Sequence, residues 1–256
     1  MITVNIIGSG NVAWHLLHQI EKAEGVTLKY WCSRSEKPKA QFEFVQHKHT
    51  NIKAIKPAQL TIIAVSDTAI EPVSMSLPFS GELVAHTSGS IAIDVIDAKH
   101  RSAVFYPLQT FTKGIPLDFS ALPLCLETTN QEDYLILEKV ASALSESVHH
   151  IDTTQRKQLH LAAVFANNFT NHCYTLASEL CAEQDLQFDL LHQLIRETAQ
   201  KAMTISPELA QTGPAKRGDL QVLENQKACL PSEELKDLYQ TPVSYTHLTL
   251  PTIYSV

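Results

Sequence analysis

The 256-residue sequence predicts an α/β fold, a doubly wound and mostly parallel sheet followed by an all-α C-terminal domain. Three observations carry this expectation. The chain opens on a short β-branched run that breaks at glycines into helical spacing. Apolar runs of strand length then alternate with helical segments to about residue 151. From residue 153 to about 240 the spacing is helical.

The opening stretch, MITVNIIGSGNVAW, explains the fold class most directly. Ile2, Val4, Ile6 and Ile7 read as a buried strand, and Val12, Ala13, Leu16, Leu17 and Ile20 as the apolar face of a helix. Between them stands G-x-G-x-x-A, with Gly8 for a tight turn, Gly10 for close backbone approach to a pyrophosphate and Ala13 for close helix–strand packing. This is the Rossmann-like dinucleotide-binding pattern, and the backbone of Gly8, Ser9, Gly10, Asn11 and Val12 is expected to face the phosphates. The bland alternative is a glycine turn that only joins strand to helix.

A second strand is expected at 26–32, completing a βαβ unit. NAD-binding proteins usually place an acidic residue at its end; here the chain reads Ser33-Arg34-Ser35. Two hydroxyls around a guanidinium suit a 2′-phosphate, so NADP is the expected cofactor. The alternative is an ordinary surface arginine. A third strand is weakly marked near 51–55, and 60–66 is the clearest buried strand, ending at Val65 and Ser66 beside the glycine turn. Asp67 and Thr68 read either as part of the site or as a cap for a helix starting near Ala69. Strands at 82–86 and 103–106 lead into the polar loops Thr87-Ser88-Gly89-Ser90 and Pro107-Leu108-Gln109-Thr110-Phe111. A strand near 122–126, a helix at 131–145 and a short strand at 147–151 complete a first domain, residues 1–152.

Residues 153–240 read as a helical substrate and dimerisation domain. Leu159, Ala162, Ala166, Phe169, Cys173, Leu176 and Leu180 form an apolar seam along one long helix packed against others. Its other face carries His160, Asn167, Asn168, Asn171 and His172, and 159–178 contain no charged residue apart from the histidines. A neutral polar face lines a cleft or a subunit contact. A second helix follows around 191–202. The loop Thr212 to Asp219 precedes a last amphipathic helix. Residues 241–256, with two prolines and no period, are expected to be a disordered end, a cloning remnant or a sequencing artefact.

Composition excludes several classes. A net charge of −7 without a basic run argues against nucleic-acid binding, and no apolar stretch is long enough to span a membrane. The N-terminal strand has no basic region before it, so a cytoplasmic protein without a signal peptide is expected. Five cysteines without a C-x-x-C pair read as free thiols. His47, His49, His149 and His150 lack partners at ligand spacing, so no metal is expected.

The set GSGNVAWHL, CSRS, IIAVSDTAI, HTSGS, YPLQTF, AAVFANNFTNH and TGPAKRGD resembles a bacterial family that joins a Rossmann-like NADP-binding domain to a C-terminal helical domain of unknown function. It is more distantly similar to pyrroline-5-carboxylate reductase, ketopantoate reductase and the deazaflavin-dependent NADP reductases. The match covers residues 1 to about 240. The resemblance implies a homodimer built through the C-terminal helices, which close over the nicotinamide. The function expected is hydride transfer between NADP(H) and a small polar carbonyl or imine, with His86, Ser88, His160 and Asn167 as candidates to polarise or protonate the accepting centre. Arg217 either binds a substrate carboxylate or phosphate or pairs with Asp219. The rival expectation is a non-catalytic NADP-binding sensor or scaffold.

Overall fold

The computed structural model describes residues 1–34, 40–45 and 49–249. The chain divides into two compact units, Met1–His172 and Cys173–Val256. The first is built on one eight-stranded sheet with strand order β3-β2-β1-β4-β5-β6-β7-β8. The strands are β1 (Ile2–Ile7), β2 (Val26–Cys32), β3 (His49–Thr50), β4 (Leu60–Ile63), β5 (Leu83–His86), β6 (Arg101–Pro107), β7 (Leu124–Thr128) and β8 (Val148–His150). Every neighbouring pair is parallel except β6 and β7, which run antiparallel. This is the doubly wound, mostly parallel order expected.

The sheet is covered on both faces, which is why its central strands are almost wholly apolar. Val4 and Ile6 of β1 join a cluster with Leu16 and Leu17 of helix α1 (Asn11–Ile20) and Leu137 and Val140 of α3 (Gln131–Ser142). Ile7, Ile63 and Val84 join a second cluster with Ile70 of α2 (Ile70–Ser76), Leu77 and Ile96. The period-2 alternation of strand side chains divides the two sets. Asn5 interrupts the apolar run; it is fully buried, and its Nδ2 donates to the Lys56 carbonyl at 2.9 Å and the Thr61 hydroxyl at 3.3 Å.

Strands β2 and β4 flank β1, so the chain order reverses there and a crevice opens beyond the carboxyl ends. Gly8 sits at its base. Its N–H donates to the Cys32 carbonyl at 2.8 Å, while Ala64 N–H donates to the Ile7 carbonyl at 2.7 Å. The turn needs φ +138° at Gly8, and a Cβ there would overlap the Ala64 carbonyl oxygen. The link between β6 and β7 is strapped over α1. Asn11 Nδ2 donates to the Phe111 carbonyl at 2.7 Å, the His15 ring bonds the Thr112 carbonyl at 3.0 Å, and Lys113 Nζ donates to the Ser9 carbonyl at 2.9 Å.

Several elements differ from the sequence expectation. The third strand lies at His49–Thr50, and the expected 51–55 strand is instead a 3-10 turn, Ile52–Ala54, capped by Asn51. Strand β4 ends at Ile63, and Asp67 does not cap a helix. Its carboxylate accepts from the Ser90 hydroxyl at 2.7 Å. The expected single long helix is α4 (Thr153–Ala163), a π-helical segment (Val164–Phe169) and α5 (Thr170–Ala182). The wider π turn breaks the 3,4 spacing, so the seam is not one buried stripe: Phe169 is 51 % exposed.

The second unit holds α6 (His192–Thr204), α7 (Pro207–Ala210), α8 (Pro214–Arg217), α9 (Leu220–Ala228) and α10 (Glu233–Thr249). Residues 241–249 thus continue a helix, with Pro242 inside it, where the sequence reading ended the pattern. Among the described residues of this unit only Leu223 is buried, while Leu190, Leu194, Met203, Leu209 and Leu220 are exposed. Among the described residues no helix is long and apolar enough to cross a membrane.

Gly8→Ala is expected to destabilise the protein by roughly 2–4 kcal/mol, since both the backbone angle and the close carbonyl oppose a side chain. Gly10→Ala, where an added Cβ meets nothing within 4 Å, is the comparison and should change stability by less than about 1 kcal/mol. Urea denaturation of the two variants measures the difference.

Candidate active site

Two neighbouring cavities among the described residues of the first unit bear on the site. The larger, about 780 Å³, lies at the reversal of strand order. Its wall includes Gly8, Ser9, Gly10, Asn11 and Val12 from the turn, Ser33 and Arg34 from the end of β2, Val65 and Ser66 beyond β4, and Thr87 beyond β5. Thus every residue expected on sequence grounds to hold a dinucleotide lines one cavity, except Ser35, which lies outside the described residues. Parallel strands ending at the same level bring them together, although they span 79 positions in the chain from Gly8 to Thr87. Asn51, Ile52, Ala69, Val73 and Ser76 also line it. The residues present fit a dinucleotide, because Gly10 opens onto empty space and leaves the backbone free to approach a phosphate.

The second cavity, about 400 Å³, is lined on one side by Tyr106, Leu108, Gln109 and Thr110 and on the other by helix positions including Leu159, His160, Ala163 and Asn167. Asn168 lines it too, so the neutral polar face does border a cleft. None of its lining residues is an acid, a lysine or an arginine. The Tyr106 hydroxyl lies 3.0 Å from His160 Nδ1. Burial pushes the phenol up to about 12, so it keeps its proton. A protonated phenol donates to Nδ1 of a neutral imidazole and leaves the ring proton on Nε2.

The loop 87–90 lines the first cavity and packs against two residues that line the second. Thr87 lines the first, and Gly89 packs against the Tyr106–His160 pair of the second. A Cβ on Gly89 would stand 2.5 Å from His160 Nδ1 and 2.8 Å from Tyr106 Cζ, so only glycine lets the loop lie against that pair. What holds the loop is Arg156, which is fully buried. One of its terminal nitrogens donates to the carbonyls of Ser88 at 3.0 Å, Gly89 at 3.3 Å and Ile91 at 2.7 Å. The other donates to Glu127 Oε2 at 2.9 Å and Thr153 Oγ1 at 3.2 Å.

Two candidates for proton transfer have other work. His86 is fully buried; its Nδ1 accepts from Ser88 N–H at 3.2 Å and its Nε2 lies 3.2 Å from the Ala92 carbonyl. That arrangement needs a neutral ring with its proton on Nε2, and burial, aided by the Arg156 charge, holds the imidazole down at about 4. The Ser88 hydroxyl accepts from the N–H groups of Ser90 at 3.2 Å and Ile91 at 3.1 Å. Both residues shape the loop. Arg217 is exposed, and among the described residues it forms no ion pair with Asp219, whose carboxylate caps α9 through Val222 N–H at 3.4 Å.

Sequence reasoning missed Tyr106 and Arg156. A signal for the second existed: Glu127 ends an otherwise apolar strand, and a carboxylate in that position requires a cation.

Residues 122–246 match the family model described as Domain of unknown function (DUF2520). No curated protein matches the chain. Among solved structures, the chain is similar to the "putative NADP oxidoreductase BF3122 from Bacteroides fragilis", at 35 % identity over 96 % of this chain and 98 % of that one, with TM-score 0.85. Protein TM1727 from Thermotoga maritima matches at 22 % identity over 95 % and 96 % of the two chains, TM-score 0.73. The 1-pyrroline-5-carboxylate reductase of Streptococcus pyogenes matches at 12 % identity over 96 % and 98 %, TM-score 0.64, which shows a shared fold.

The buried neutral His86 makes stability depend on pH. Its folded value lies well below the ordinary imidazole value of 6.5, so as pH falls the unfolded chain takes up the proton first. Stability from this group is full above about 6.5 and is lost as pH falls toward 4, by about 3 kcal/mol in all. Denaturation curves between pH 4 and 7 should therefore be steeper in pH for the native sequence than for His86→Gln. Equal slopes would show that His86 titrates normally.

Proposed function

The chain belongs to one family with the Bacteroides fragilis protein and carries the DUF2520 domain, and from that premise we propose that it is an NADP-dependent oxidoreductase acting on a small polar carbonyl or imine. The observation that carries the reading is the pairing of a fingerprint-lined cavity with a second, histidine-bearing cavity through the single loop 87–90. The relative's description as an NADP oxidoreductase supports the same cofactor. Bound NADPH would supply the hydride.

The chain's own residues divide the remaining work. Amides of Gly8 to Val12 bind the pyrophosphate, and Ser33, Arg34 and Ser35 bind the 2′-phosphate. His160, whose Nδ1 accepts from the Tyr106 hydroxyl, donates its Nε2–H to the substrate oxygen or nitrogen and polarises the accepting centre as the hydride reaches the adjoining carbon, and water supplies the proton that completes the reduction. Asn167 orients the substrate. The lack of formal charge in the second cavity suits a substrate portion that is polar but uncharged. The exposed leucines and methionine of the helical domain, residues 153–240, support a homodimer, since an apolar surface of this extent is ordinarily covered.

Deuterium transfer from C4-labelled NADPH to a panel of keto acids, imines and deazaflavin tests the reaction. Transfer to at least one class is expected, and His160→Ala should slow it by about 10²-fold or more without weakening NADPH binding. Tight NADPH binding with no transfer to any acceptor would favour a non-catalytic sensor. In a separate titration, Arg34→Ala should weaken NADP by about 10- to 100-fold and leave NAD nearly unchanged. Equal affinity of the native protein for the two nucleotides would remove the 2′-phosphate argument.

A further inference from the structure

The large cavity that Ser33 and Arg34 line also carries the polar side chain of Asn51. Strands β2 and β3 pair Cys32 with Thr50, so the residues that follow, Ser33 and Asn51, leave adjacent strand ends at the same level. Asn51 caps the 3-10 turn, and its Oδ1 accepts from both Lys53 N–H at 3.0 Å and Ala54 N–H at 3.1 Å. Two backbone donors on one branch of the amide identify that branch as the oxygen, which settles an orientation that is otherwise ambiguous. The other branch is therefore NH2, and among the described residues no acceptor is bonded to it.

We infer that Asn51 is a specificity-determining residue that donates to the 2′-phosphate of NADP alongside Arg34; this rests on the dinucleotide reading above. The chemistry of the donor set carries it. Beside the Ser33 hydroxyl, which can donate or accept, the guanidinium of Arg34 only donates, and the acceptor oxygen of Asn51 is already used by the turn, so its remaining group only donates. A ribose 2′-hydroxyl is best recognised by an acceptor, as the acidic residue of NAD-binding proteins provides. A phosphate offers acceptor oxygens and negative charge, and matches this set. The turn fixes the amide before the ligand arrives, so little ordering is lost on binding.

Asn51→Asp tests this, because aspartate keeps the capping oxygen for Lys53 and Ala54 while turning the free branch into an anionic acceptor. Dissociation constants for NADP and NAD are measured by calorimetry on the full chain, with the melting temperature as a check on folding. The expected result is NADP affinity lowered by about tenfold or more, NAD affinity unchanged or raised, and an unchanged melting temperature. An unchanged NADP-to-NAD ratio, or a parallel loss of both, would overturn the assignment while leaving the dinucleotide reading intact. If the native protein binds neither nucleotide, the dinucleotide reading falls and the assignment falls with it.

Discussion

The buried guanidinium of Arg156 is the constraint on which the site depends. A charge without water must be met by an anion and by acceptors for its remaining protons, and removing one member of such a pair costs about 3–5 kcal/mol. Here Glu127 of β7 provides the anion, while Ser88, Gly89 and Ile91 provide carbonyls from the loop after β5. Thr153, at the start of α4, donates to Glu127 Oε1 at 2.7 Å and so joins the same network. One side chain thereby ties a strand, a loop and a helix into a single geometry.

From that tie follows the arrangement of the loop 87–90. Its carbonyls turn inward to Arg156, and its α-carbon at Gly89 lies against Tyr106 and His160. The ring of His86 stays neutral beneath it because a second positive charge beside Arg156 would be unpaired and unsolvated. A protonated His86 would also lose the bond from Ser88 N–H, so the loop and the histidine stabilise each other. Tyr106 is held protonated by its own burial. The outcome is a polar site in which the phenol of Tyr106 and the ring of His160 face the second cavity together.

Stability and exposure are unevenly distributed. The sheet buries its apolar residues on both faces, whereas the helices beyond residue 173 leave large apolar side chains in contact with water. Leu190, Leu194, Met203 and Leu209 each remain more than half exposed. A helix with an uncovered apolar face stabilises little by itself, because most helical stability in water comes from packing such a face. The two halves of the chain thus differ, one burying its apolar side chains internally and the other leaving large ones exposed.

Much of this was legible in the residues themselves. The strand-turn-helix at the N-terminus is a local pattern, since the hydrophobic period, the glycine at φ +138° and the small Ala13 all act within a few positions. The residues 26–32 were legible as a strand for the same reason. The helical 153–182 region was legible as helix but not as carrying a π turn, because a one-residue widening leaves no mark on composition. Asp67 looked like a cap because Asp commonly caps; its partner Ser90 lies 23 positions away, beyond any local rule. His86 and Ser88 have the right chemistry for catalysis, and only burial and the hydrogen bonds of the folded loop give them a structural role. Local sequence thus determined the sheet and the glycine turn, since these follow from period and backbone sterics. Tertiary structure alone decided which polar groups were left to face a cavity, because that depends on which donors and acceptors from distant strands had already satisfied one another.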